Sequence, residues 1–245
     1  MHGTVEVVDS VADRFAEVVG GALARGTASD PGQRGGFSLF LSGGPTAQEA
    51  YERLAQVTGP GAPVGGPATP SVHWTRVDVY WGDERCVPPD DKDANQRLCR
   101  EALLDPVGPL GSVHPMYTSG APADAAAAYQ KEIAGLEHFD LVHLGMGPDG
   151  HCASLFPGSA ALDAPDDVLV LANVDPNDNN PLERITLTLP AIARARLVVF
   201  TVAGPSKREA FERVRNGEDL PAGRVQADEV LWLVDREAAG DNTGT

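Results

Sequence analysis

Cysteine is scarce in this 245-residue chain: Cys86, Cys99 and Cys152 make an odd set of three with no C-x-x-C spacing. That excludes a disulfide framework and a thiolate zinc site, and a reducing compartment, the cytoplasm, is expected. Basic residues are also few. Nineteen Lys and Arg against 35 Asp and Glu leave a formal charge of −16, so no clustered cations stand ready to displace counterions from DNA or RNA, and nucleic acid is not an expected partner. No apolar run approaches the length of a membrane span, and the first residues carry Glu6, Asp9 and Asp13 where an export signal needs a basic segment followed by an apolar one. Neither membrane insertion nor export is expected.

What is present is a 42% hydrophobic content, enough to bury a core, in a length that suits one domain over residues 1–245. Extended and helical patterns alternate. Val5 to Val8 reads as a strand, and Ser10 followed by Asp13 opens a helix whose apolar positions Val11, Phe15, Val18, Val19, Ala22 and Leu23 recur at helical spacing. Phe37 to Leu41 is strand-like, and Ser42-Gly43-Gly44-Pro45-Thr46 leads into a helix with Ala47, Ala50, Tyr51 and Leu54 on one face; Thr46 and Glu49 have capping-box spacing. Gly26 to Gly36 and the Pro/Gly-rich stretch 58–70 read as loops. Strands follow at Val77 to Trp81 and Leu141 to Leu144, with a polar loop after the first and helices at Asn95 to Leu103 and Ala121 to Ile133 between them. Val168 to Ala172 and Ile185 to Leu187 look extended. Leu197 to Val202, a capped helix over Ser206 to Arg215 stopped by Gly217, and Val230 to Val234 complete the series, with a frayed tail from Ala238 to Thr245. Such alternation predicts an α/β fold, a mostly parallel sheet with helices on both faces.

Three constellations can carry chemistry. Strand, Ser42-Gly43-Gly44, helix is a recipe for an anion cradle, because glycine allows close approach and the first helical amides point at the ligand. Neither G-x-x-x-x-G-K-[ST] nor G-x-G-x-x-G is present at that loop, which favours a phosphate on a small molecule over a nucleotide. One exposed helix terminus supplies only about 0.3–1 kcal/mol, so basic side chains must help. Arg85, Arg184 and Lys207 lie at the ends of proposed strands and are the candidates. Third, the buried run Leu141 to Leu144 empties into a glycine-rich turn holding Asp149 and His151. An imidazole, with an ordinary pKa of about 6.5, suits a general base, and Asp149 is close enough in sequence to orient it. Acidification is then expected to lower activity as the base is protonated. Cys152 reads as a small packing residue and His143 as part of the strand's alternation; no metal-ligand spacing such as H-E-x-x-H occurs, so no metal is expected.

Four ordered blocks carry a resemblance: Leu-Ser-Gly-Gly-Pro-Thr at 41 to 46, Trp-Gly-Asp-Glu-Arg-Cys-Val-Pro at 81 to 88 followed by Asn95, Leu-Gly-Met-Gly-Pro-Asp-Gly-His-Cys-Ala-Ser-Leu-Phe-Pro-Gly at 144 to 158, and Glu-Arg-Ile-Thr-Leu-Thr-Leu-Pro at 183 to 190. Together they resemble the 6-phosphogluconolactonase family, related to glucosamine-6-phosphate isomerase/deaminase. The resemblance implies a Rossmann-like three-layer α/β/α fold, hydrolysis of 6-phosphoglucono-δ-lactone in the oxidative pentose phosphate pathway, and no metal or organic cofactor. By position it implies that Gly43, Gly44, Thr46, Arg85, Arg184 and Lys207 bind the phosphate, that His151 activates water, and that Asp149 and Asp83 shape the site. Pro45, Ala47 and Ala94 depart from the pattern, standing where the family often has serine, proline and serine.

Two other functions fit parts of the same pattern. An isomerase or deaminase of an amino-sugar phosphate could use Asp83 and His151 for proton transfer, but Asp-Glu-Arg-Cys-Val-Pro stands where Asp-Glu-Tyr is expected in those enzymes. A sugar-phosphate sensor without turnover needs an output segment, and nothing before Phe37 resembles a basic helix-turn-helix. A phosphosugar lactone is the expected partner of a monomer or small homo-oligomer.

Overall fold

The computed structural model describes residues 1–28, 36–62 and 71–240; most of the two expected loops, and residues 241–245 of the expected tail, lie outside them. The elements run β1 (Thr4–Val8), α1 (Val11–Thr27), β2 (Phe37–Leu41), α2 (Pro45–Thr58), β3 (Val77–Trp81), β4 (Asp83–Arg85) and α3 (Asn95–Cys99). A π-helical turn, Arg100–Leu104, joins α3 to α4 (Asp105–Val107), and β5 (Ser112–Val113), α5 (Pro122–Ile133), β6 (Phe139–Gly145), β7 (Val170–Asn173), β8 (Arg184–Leu187) and α6 (Leu189–Ile192) follow. The chain continues through β9 (Ala195–Val202), a 3-10 turn at Pro205–Lys207, α7 (Arg208–Arg215), α8 (Pro221–Arg224), β10 (Glu229–Asp235) and α9 (Arg236–Ala239).

Seven strands form one parallel sheet in the order β1-β10-β9-β6-β2-β3-β5. Helices cover both faces. His143 of β6 sits against Phe15 of α1 and Tyr51 of α2, with ring centroids 4.5 and 5.3 Å away. His143 is in register with Val199, so the next residue of β9, Phe200, points to the opposite face. There it stacks on Trp232 at 3.8 Å, which also meets Phe211 of α7. From β2 the order runs outward through β3, and from β6 outward through β9, so the strand order reverses between β2 and β6. Parallel strands deliver their loops to one edge, and the crevice at such a reversal is where open α/β sheets bind ligands.

Four expectations need correction. The extended segments near 170 and 185 do not join the main sheet: β7 and β8 pair antiparallel with each other, and β8 pairs with β4, making a second sheet in the order β4-β8-β7. β4 itself falls in what the sequence presents as a polar loop. Thr46 and Glu49 form no capping box, because Gly44 takes the cap position and Pro45 the first helical one, with no side-chain cap bond. The helix after Gly204 begins at Arg208, following the 3-10 turn, and no side chain caps it, although Gly217 does end it at φ +82°. Finally, Ala238 and Ala239 are not frayed; both are buried in α9, where the Asp235 carboxylate accepts from Ala238 N at 2.7 Å and from Gly204 N at 2.7 Å.

Candidate active site

At the end of β2 the chain must turn sharply into α2. Gly44 does so at φ +100°, a conformation that a side chain would strain, and a Cβ there would meet nothing within 4 Å because it faces open cleft. Pro45 has no N–H to offer, which leaves the amides of Thr46 and Ala47 as donors without intrahelical partners. Gly43 answers a different need. A Cβ on it would overlap the side-chain amide of Asn95.

Asn95 is held there by β4. The Glu84 carboxylate is fully buried and accepts from the backbone N–H groups of Arg85, Asn95 and Gln96, each at 2.7 Å, so it caps α3 and ties it to β4. Burial pushes this carboxyl up to about 7, against the pull of those three donors. Asn95 Nδ2 donates to the Asp83 carbonyl at 2.9 Å and to its Oδ1 at 3.3 Å, and Ser154 Oγ donates to Asp83 Oδ2 at 2.6 Å.

β4 also aligns two cations. Arg85 and Arg184 are direct cross-strand neighbours in the β4–β8 ladder, an arrangement that places like charges side by side at a cost. Arg85 Nη1 donates to the Asp93 carbonyl, yet its Nε is buried without a partner. Arg184 is only 7% exposed, its Nε is likewise unpartnered, and no carboxylate among the described residues pairs with it. Burial pulls its guanidinium below the ordinary value; the Asp83 charge opposes that and the Arg85 charge adds to it. Lys207, at the end of the 3-10 turn, is a third cation without an ion-pair partner among the described residues, lowered by burial while the charge of Asp149 opposes.

The loop beyond β6 supplies an imidazole. Beyond Gly145 the loop closes on itself, Gly147 N donating to the His151 carbonyl at 2.8 Å and Gly150 N to the Gly147 carbonyl at 3.0 Å. This brings His151 Nδ1 to 2.6 Å from Asp149 Oδ1, which also accepts from His151 N at 3.2 Å. The ring leans edge-on against Phe156 at 5.1 Å. Burial raises the Asp149 carboxyl, but the ring hydrogen bond, the ring's charge and the backbone donors outweigh it and hold the group below the usual carboxylate range. With Nδ1 committed to Asp149, Nε2 has no partner among the described residues and is left for a ligand. Cys152 is fully buried, and burial pushes its thiol far up, as a packing residue requires.

A Cβ on Gly147 would overlap the His151 ring and crowd Asp149 Oδ1. Gly147→Ala is therefore expected to part the pair and lower kcat by about 10²-fold, the cost of an ångström-scale misplacement of a catalytic group, with the melting temperature little changed. Steady-state kinetics beside a thermal melt reads this; unchanged kcat would show that the pair tolerates the shift.

These loops enclose a cleft of about 390 Å³. Of the residues singled out in the sequence, Gly43, Gly44, Thr46, Asp83, Arg85, His151, Arg184 and Lys207 line it, and Asp149 stands behind His151. Ser154, Asn180, Thr201 and Ser206 also line it and were not foreseen. Ser154 belongs to the block around His151 and could have been suspected; Asn180 and Thr201 have no local signal. Among the described residues no group of three or more His, Cys, Asp or Glu is gathered as a metal site would need, and no helix is long and apolar enough to cross a membrane.

The family model for glucosamine-6-phosphate isomerases/6-phosphogluconolactonase matches residues 4–232. The chain is 39% identical over 225 residues to the 6-phosphogluconolactonase of Synechocystis, covering 86% of each protein. It is 43% identical over 185 residues to that of Mycobacterium tuberculosis, covering 69% of this chain and 74% of the other. Its fold superimposes on the crystal structure of 6-phosphogluconolactonase from Thermotoga maritima with a TM-score of 0.78 at 28% identity, covering 95% and 99% of the two chains.

Proposed function

The chain belongs to the glucosamine-6-phosphate isomerase/6-phosphogluconolactonase family, and on that premise we propose that it hydrolyses 6-phosphoglucono-δ-lactone to 6-phosphogluconate. One observation carries this reading: a single cleft joins three cations that lack a carboxylate partner among the described residues to an imidazole already oriented by Asp149. Buried charge without a counter-charge is costly in an unliganded protein. A phosphate dianion supplies that counter-charge, and it does so in a chain whose net charge is −16 and would otherwise repel it.

The chemistry follows from the positions. Gly43, Gly44 and Thr46 offer backbone donors to the phosphate, and Arg85, Arg184 and Lys207 offer charge-assisted ones. Asp149 fixes the proton of His151 on Nδ1, so Nε2 is the basic nitrogen. Nε2 removes a proton from water as the water oxygen bonds to the lactone carbonyl carbon. Collapse of the tetrahedral oxyanion breaks the bond to the ring oxygen, and Nε2 returns its proton to that oxygen. Asp83, tied to Asn95 and Ser154, shapes the wall beside the arginines. On this reading the enzyme acts as one domain in the cytoplasm, without metal or organic cofactor, as a monomer or small homo-oligomer.

The test is the rate of 6-phosphogluconate formation from freshly generated lactone, coupled to a downstream dehydrogenase and corrected for spontaneous opening. Acceleration, with no ammonia released from glucosamine-6-phosphate, is the expected result. Ammonia release without lactone hydrolysis would hand the site to the deaminase branch of the family.

A further inference from the structure

Directly beneath the cleft, three strands are laced together by a buried chain of hydrogen bonds that the mechanism above does not use. Tyr51 Oη accepts from Ser42 N at 2.7 Å, lies 3.1 Å from the Ser42 carbonyl and 2.7 Å from His143 Nδ1. His143 Nε2 lies 2.9 Å from Thr201 Oγ1. Tyr51 and His143 are wholly buried, and Thr201 reaches the cleft wall. Thr201 is in register with Gly145, so the two residues face the same way. A Cβ at Gly145 would meet nothing within 4 Å, so the space beside the threonine is open.

Hydrogen counting gives the chain a direction. Burial holds the imidazole neutral, pulling its pKa down to about 3, so one ring nitrogen carries a hydrogen and the other does not. A 2.7 Å contact on the tyrosine side fits an O–H donor, and 2.9 Å on the threonine side fits an N–H donor. Tyr51 then donates to Nδ1, Nε2–H donates to Thr201 Oγ1, and the hydrogen of the threonine hydroxyl has no protein acceptor among the described residues. We propose that Thr201 is a substrate-binding residue whose hydroxyl donates into the cleft, and that His143, set in one tautomer by Tyr51, is the positioning residue that turns it there. The ligand group it meets is an oxygen acceptor, a hydroxyl or phosphate oxygen of the sugar phosphate, and the inference rests in that respect on the function proposed above.

Kinetics and product binding of Thr201→Val, Thr201→Ser, His143→Leu and the double variant His143→Leu/Thr201→Val test this. Thr201→Val is expected to raise KM roughly threefold to tenfold, the worth of one neutral hydrogen bond, with kcat little changed. Thr201→Ser keeps the hydroxyl and is expected to stay within about twofold of the parent on the same grounds. His143→Leu should cost a similar factor in KM alone but none once Thr201 is valine, since its effect passes through that hydroxyl. Equal KM for Thr201→Val and the parent, or losses that multiply in the double variant, would overturn the assignment. Calorimetry with 6-phosphogluconate on the same proteins separates the two proposals. A parent that binds the product without opening the lactone refutes the function while the same ratios are read in Kd, and a parent that binds nothing refutes both.

Discussion

Replacing His151 by alanine is expected to lower kcat by about 10²–10⁴-fold, the usual contribution of a positioned general base, while KM changes little. The ring contacts Asp149 and Phe156 and is not among the groups offered to the phosphate, so substrate binding survives its loss. Asp149→Asn is expected to act in the same direction: the amide can present its NH₂ to Nδ1, which moves the ring proton to Nε2 and removes the basic lone pair from the cleft. Asp149 also adds a pH-dependent contribution to stability. Its folded pKa is lowered, so the stabilisation is complete above the ordinary carboxylate value of about 3.9 and is lost as pH falls through the folded one. Above that value Asp149 stays charged. Initial rates on proteins with matching circular dichroism and melts decide the matter; a His151→Ala protein that opens the lactone at the parent rate would remove His151 from the mechanism.

Arg184→Met is expected to move two properties in opposite directions. In phosphate-free buffer the variant should be more stable by roughly 1 kcal/mol, about 2–4 °C in Tm for a chain of this size. It replaces a buried guanidinium, beside Arg85 and without a carboxylate partner among the described residues, with an apolar side chain of similar length. Catalysis should suffer: kcat/KM for the lactone is expected to fall about 10–100-fold, as the loss of charged hydrogen bonds to phosphate implies. Inorganic phosphate supplies a third reading. It binds the folded state and should raise the Tm of the parent more than that of the variant. Calorimetric melts with and without phosphate, beside the kinetics, check all three; a variant less stable than its parent in phosphate-free buffer, with unchanged kcat/KM, would mean that Arg184 serves the fold and not the ligand.

Much of this was legible before any coordinates. The alternation of β-branched runs with helix-spaced apolar positions specifies parallel α/β layering, and β2, β3, β6, β9 and β10 fall where those runs lie, because strand and helix periodicities are local properties of the chain. The glycine turn at the head of α2 was legible because Ser42-Gly43-Gly44 lies between a strand and a helix, and the Asp149–His151 pair because two residues of separation leave little room for misplacement. Capping was the local signal that misled. Thr46 and Glu49 have the right spacing, but Pro45 fits the first helical position and moves the cap to Gly44.

The antiparallel sheet of β4, β8 and β7 was not legible, because its strands are three to four residues long and a short extended segment carries no mark of its partner. Nor were the residues that reach the cleft from a distance. Arg85 and Arg184 are 99 positions apart in the chain and meet only through the β4–β8 register, and His143 reaches Thr201 only because β6 and β9 lie side by side. The sequence by itself determined the layer architecture, the turn chemistry and the identity of the charged groups, all set within a few residues by sterics and periodicity. Tertiary structure alone decided which of those groups stand together without counter-charges, since burial and pairing belong to the assembled sheet and not to any segment of it.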